Sequence, residues 1–128
     1  MKRVTIPLWG REYPMCFSLR VVQACGERFG GLEGLDEALT GGGDAMTALD
    51  NSIWLLARLL DGGYRYDRAE GREAMEPPSA EDLMDRFGMD DLGELQQNMM
   101  AAMVAGSQRT VEAEPGKNGE AAQETAAS

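Results

Sequence analysis

The chain opens with two short apolar runs, residues 4–8 and 12–17, that pivot on Gly10-Arg11 and lead straight into Ser18. That spacing predicts a tight β-hairpin. Ser18 has the side chain of a helix N-cap, so a helix is predicted to start with no linker. Two strands alone are marginal and need a helix laid across one face, which commits the chain to an α+β fold. In the first strand Val4, Ile6 and Leu8 alternate as one face, and in the second Tyr13, Met15 and Phe17 do the same. Pro7 cannot donate to a ladder, so its strand belongs at a sheet edge or carries a bulge. A hairpin–helix unit of this kind has no deep pocket and one exposed strand edge, which points to protein binding.

The first helix places Val22, Cys25 and Phe29 inward and Arg20, Gln23 and Glu27 toward water, and Gly30-Gly31 stops it. A short amphipathic segment, residues 32–39, runs to Gly41-Gly42-Gly43, the most flexible internal point. A triglycine phosphate cradle would need a lysine and a preceding strand, and both are missing here. Asp44 caps the strongest helix, residues 45–60, with Met46, Leu49, Ile53, Leu56, Ala57 and Leu60 as its main stripe. Trp54, Leu55 and Leu59 widen the stripe beyond one face. Such a helix is either the centre of the domain or half of an oligomer contact. Asp61-Gly62-Gly63 is expected to end it.

Residues 64–78 mix Arg65, Arg68 and Arg72 with Asp67, Glu70, Glu73 and Glu76, the composition of a solvated loop or frayed helix. After Pro77-Pro78, the stretch Ser79-Ala80-Glu81-Asp82 forms a capping box for another helix, with Leu83, Met84 and Phe87 as its apolar side. A last helix starts near Asp90. Leu92, Leu95, Met99 and Met103 make its stripe, with Met100 and Val104 beside it. The expected architecture is thus the hairpin packed on a small bundle of about four helices, within residues 1–110. Beyond Val111 no large apolar residue occurs, so residues 111–128 are expected to form a disordered acidic tail.

Composition narrows the chemistry. There is no histidine among the 128 residues, which removes the commonest general base and metal ligand. Cys16 and Cys25 lack the spacing and the companions of a zinc site; they are either a disulfide or two small apolar residues. No catalytic constellation, cofactor motif or metal set is found. Carboxylate pairs such as Glu81-Asp82 and Asp90-Asp91 sit at helix starts, where the macrodipole explains them. A net charge of −10 argues against binding nucleic acid through phosphates. No apolar run of about 18 residues exists for a membrane span, and the N-terminus lacks an apolar signal core, so a cytoplasmic location is expected. Nine methionines are many for this length, and Met99, Met100 and Met103 crowd one helix. Methionine suits surfaces that adapt to apolar partners, and it equally fills irregular cores, so each of these is either contact or core. The candidate partner-binding residues are therefore Trp54, Leu55, Leu59, Met99, Met100 and Met103.

The hairpin with Gly10-Arg11-Glu12-Tyr13-Pro14 at its turn, the first helix ending Glu27-Arg28-Phe29-Gly30, and the helix of residues 51–63 containing Ile53-Trp54-Leu55-Leu56 resemble small tail assembly chaperones of long-tailed bacteriophages and prophages. The resemblance spans roughly residues 2–110. It implies a protein that coats the tape measure protein in the host cytoplasm before the tail tube polymerises, then leaves, so that the mature virion lacks it. It also implies a longer frameshifted form whose added domain recruits tail tube protein. Gly116-Lys117-Asn118 can be encoded as GGA-AAA-AAC, which contains a slippery heptamer. Two other readings stay open: a structural virion component such as a tail completion or connector protein, and an acidic regulator of a basic partner. A virion component remains in purified particles. An acidic regulator gathers its acids on one face, whereas here they are interleaved with arginines.

Overall fold

A computed structural model of the chain describes residues 1–40, 42 and 44–107. Strand β1 (Val4–Leu8) pairs antiparallel with β2 (Arg11–Met15), Leu8 opposite Arg11. The turn is therefore Trp9-Gly10, one residue earlier than expected. Trp9 (φ 51°) and Gly10 (φ 83°) both take positive φ, the type I′ geometry whose twist matches the strands. The strain at Trp9 is offset by its ring, which packs on Phe87 with centroids 5.3 Å apart, under the Arg86 guanidinium at 3.8 Å. The hairpin tip is thereby docked to a distant part of the chain.

Ile6, Leu8, Tyr13 and Met15 point into the core. In a hairpin with a two-residue loop the flanking pair Leu8–Arg11 is hydrogen-bonded, and so are Ile6–Tyr13 and Val4–Met15. Outward amide positions then fall on Thr5 and Pro7 in β1 and on Glu12 and Pro14 in β2. Each outer edge carries a proline where a donor would face out. Neither edge presents an unbroken row of donors, so both are blunted against strand addition.

Helix α1 (Leu19–Phe29) starts where expected: Ser18 is extended, its Oγ accepts from the Val21 amide at 3.4 Å, and Gly30 closes the helix at φ 79°. Val21 and Cys25 face inward; Val22 is half-buried. A 3₁₀ turn (Leu32–Gly34) leads to α2 (Leu35–Thr40), which buries Leu35 and Leu39. Helix α3 (Ala45–Ala69) is capped by Asp44, whose carboxylate accepts from the Met46 amide and the Thr47 hydroxyl. Helix α4 (Ala80–Arg86) carries the reciprocal Ser79–Asp82 box, both bonds 3.1 Å. A second 3₁₀ turn (Met89–Asp91) opens α5 (Leu92–Gly106). The architecture is α+β as expected, the hairpin lying on a small helical bundle.

Helix α3 is the axis of the domain: β2, α1, α2, α4 and α5 all pack on it. It does not stop at Asp61-Gly62-Gly63 but continues to Ala69. The two glycines are points of close approach. A Cβ on Gly62 would stand 2.5 Å from the Cys16 carbonyl oxygen and 3.1 Å from Val21 Cγ2; one on Gly63 would overlap the Pro14 carbonyl. The Cys16 amide donates to the Leu59 carbonyl at 3.1 Å across the same contact. Glycine in a helix costs about 1 kcal/mol against alanine. Here it lets strand backbone rest directly on helix backbone.

Residues 70–78 form the mostly exposed connection expected, whereas residues 64–69 belong to α3 and include one buried charge. Asp67 is buried, and Arg3 grips it through Nε at 2.8 Å and a terminal nitrogen at 3.0 Å, with Arg72 at 3.3 Å. Cys16 and Cys25 are free and buried. Burial, with the Asp67 charge nearby, pushes the Cys16 thiol up to about 11, and burial raises that of Cys25. The expected tail, the domain limit at residue 110 and two of the three central glycines, Gly41 and Gly43, lie outside the described residues.

Candidate partner-binding cleft

Helix α5 turns Leu95, Met99, Ala102 and Met103 toward the core and leaves Met100 and Val104 exposed, at 43% and 55% of their full surface. Opposite them stand Leu35 and Leu39 of α2. Phe17, just after β2, closes one end, where a Cβ on Gly106 would come within 2.5 Å of the Phe17 Cβ. Between these walls lies an open apolar cleft of about 450 Å³, lined by Phe17, Leu35, Asp36, Leu39, Met100, Met103, Val104 and Ser107. The wall separation is held by Gln96, whose amide donates to the Leu39 carbonyl and the Ser52 hydroxyl, both at 3.0 Å. Ser52 is fully buried, so that bond also satisfies a polar atom that burial would otherwise penalise. The charge at the cleft is the Asp36 carboxylate, with no basic side chain in the lining.

A second depression of about 250 Å³ lies between α3, α4 and the start of α5. Met84 and Met89 stand on its rim, 48% and 62% exposed, over Leu49, Phe87 and Leu92. Methionines thus border apolar hollows on two sides of α5.

The six residues singled out from the sequence do not form one site. Met100 and Met103 meet at the cleft. Met99 is fully enclosed, and so are Leu55 and Leu59. These three are core, and the interface reading of Leu55 and Leu59 is corrected. Their helix is ringed by other elements, so apolar residues all round it mark a centre and not a contact. Trp54 lies on another face, half-buried against Phe29. Sequence reasoning missed Phe17, Leu35 and Leu39 as the opposite wall. The one-turn spacing of Leu35 and Leu39 on a short helix was the available signal.

The division predicts a split in mutant stability. Met99→Ala is expected to lose about 2–4 kcal/mol through its cavity, whereas Met100→Ala stays within about 0.5 kcal/mol, as an exposed substitution does. Urea unfolding of both variants checks it; equal losses would mean that Met100 is packed as core.

Among the described residues no three His, Cys, Asp or Glu side chains converge as a metal site. No described helix is long and apolar enough to cross a membrane. Compared with known protein families, with curated proteins and with solved structures, the chain matches none.

Proposed function

We propose that this protein is a tail assembly chaperone of a long-tailed phage or prophage, holding apolar helical segments of the tape measure protein in the cleft between α2 and α5. The observation that carries the reading is the cleft itself: Met100, Met103 and Val104 face Leu35 and Leu39 across open, apolar space at the surface. An amphipathic helix lays its apolar stripe into such a groove, and unbranched methionine side chains adjust to stripes of differing shape. A long tape measure protein offers many such stripes, each prone to aggregate when bare. A net charge of −10 keeps the coated complex soluble and repels nucleic acid. In this reading the protein acts in the host cytoplasm and leaves before the virion is complete. A minority form lengthened by frameshifting at residues 116–118 would add recruitment of tail tube protein.

Co-expression with the tape measure protein tests the proposal. Wild-type chain is expected to keep that partner soluble and to co-purify with it. The variant Met100→Ser/Val104→Ser is expected to capture about tenfold less, two apolar contacts of roughly 0.8 kcal/mol per methylene being lost, while its melting temperature barely moves. Unchanged capture by the variant, or the protein's presence in purified particles, would overturn the reading.

A further inference from the structure

On this acidic chain two arginines gather around Trp54. Two guanidinium groups lie over its indole, Arg28 at 4.7 Å and Arg58 at 5.4 Å from the centroid, and Phe29 meets it edge-on at 5.4 Å. Arg28 uses one N–H on Asn51 Oδ1 at 3.3 Å. The ion pairs among the described residues involve Arg3, Arg65 and Arg72, so no carboxylate of those residues lies within 4.0 Å of Arg28 or Arg58. Asp61, one turn from Arg58, is held by Arg65 at 2.8 Å. A chain with 22 acidic and 12 basic residues therefore holds two exposed arginines over one indole, neither ion-paired with a described residue. A guanidinium stacked on a ring keeps its N–H edge open, and that edge matches a carboxylate.

We propose that the Arg28–Trp54–Arg58 surface receives the segment Val111-Glu112-Ala113-Glu114 of a second copy of this chain. Charge complementarity selects the segment: in an extended chain Glu112 and Glu114 project to the same side, about 7 Å apart, which suits two guanidiniums flanking one indole. Only small Ala113 lies between them. A neighbouring copy is favoured over the same chain by where the described chain ends. Ser107 stands at the cleft beside Asp36, whereas Phe29 borders a depression beside Glu37, so the exposed carboxylates of α2 separate the two places. A chain's own glutamates would have to pass that acidic helix; a neighbour's approach from solvent. The net charge of −10 on each copy opposes their approach, so the contact is weak and forms only in concentrated protein.

Sedimentation velocity on the full chain at low salt, over a wide range of protein concentration, tests this. Concentration-dependent association is expected, and about 0.5 M salt should disperse it, since exposed pairs are screened within a few ångströms at that strength. Arg28→Glu/Arg58→Glu and, separately, Glu112→Arg/Glu114→Arg are each expected to weaken it about tenfold. Mixing the two variants should restore it through the reversed pair. The second variant changes no residue of α1 or α3, so its result stands even if the first perturbs those helices. A monomer at every concentration would overturn the proposal, as would association that ignores both variants. A Trp54 indole NMR shift that follows Glu112→Arg/Glu114→Arg without concentration dependence would also overturn it, because the segment would then dock on its own chain. The outcome is independent of what fills the α2–α5 cleft.

Discussion

Gly63→Ala is expected to destabilise the protein by about 3 kcal/mol or more, at the upper end of what overpacking costs. In an open helix the same change stabilises by up to about 1 kcal/mol, so the sign alone is diagnostic. The added methyl would enter the Pro14 carbonyl, and β2 would have to lift off α3 to make room. That movement loosens Tyr13 and Met15, both buried in the hairpin face, and stretches the bond from the Cys16 amide to the Leu59 carbonyl. Gly62→Ala should follow for the same reason, against the Cys16 carbonyl. The control is Gly93 in α5, where a Cβ meets nothing within 4 Å; Gly93→Ala should gain about 0.5–1 kcal/mol. For a domain of this size 3 kcal/mol corresponds to a melting temperature lower by on the order of 15 °C. If Gly63→Ala and Gly93→Ala behave alike in thermal unfolding, the hairpin does not rest on the α3 backbone.

Those glycines show what a local reading contains and what it lacks. Ser18 and the Ser79–Asp82 box were legible because capping is settled by side chains within four residues of one another. The alternation of Ile6 with Leu8 and of Tyr13 with Met15 was legible for the same reason. Gly62-Gly63 satisfies the local rule for a helix stop, yet what decides the conformation is a strand some 45 positions earlier in the chain. Asp67 sits in a charge-balanced stretch whose ordinary fate is solvation, and its partner Arg3 is 64 positions away. The candidate cleft divides in the same manner. Met100 and Met103 announce themselves by crowding methionine on one helix. Leu35 and Leu39 show helical spacing, but that they and Phe17 form the opposite wall follows only from tertiary packing. Leu55 and Leu59 were misplaced because a helix covered on all sides and a helix with a second apolar face share one pattern. Only the neighbours of α3 tell them apart.

Asp67→Ala is expected to lower stability by about 2–3 kcal/mol, less than the upper range for breaking a buried ion pair. The discount has a structural reason. The Asp67 side chain is 5% exposed, but those of Arg3 and Arg72 are 35% and 50% exposed, so both cations regain water once the carboxylate is gone. Arg3→Ala removes both bonds of the two-pronged grip and leaves the carboxylate with Arg72 alone at 3.3 Å. Its expected cost is about 1–2 kcal/mol, that of hydrogen bonds to a charged group. Arg72→Ala should cost under about 1 kcal/mol, in line with half-exposed pairs. Double-mutant cycles separate these contributions, and the Arg3–Asp67 coupling should exceed the Arg72–Asp67 coupling. It should also persist in high salt, because a pair closed off on the carboxylate side is screened less than an exposed one. The structural consequence is local and specific. Arg3 immediately precedes β1, and Asp67 lies near the end of α3, so the pair fastens the start of the hairpin to the far end of the central helix. Loss of the pair should therefore speed amide exchange in β1 before it affects the capped start of α1. Uniform loss of protection across the domain, or a coupling below about 0.5 kcal/mol, the level at which separate sites count as additive, would show that the contact adds no clamp.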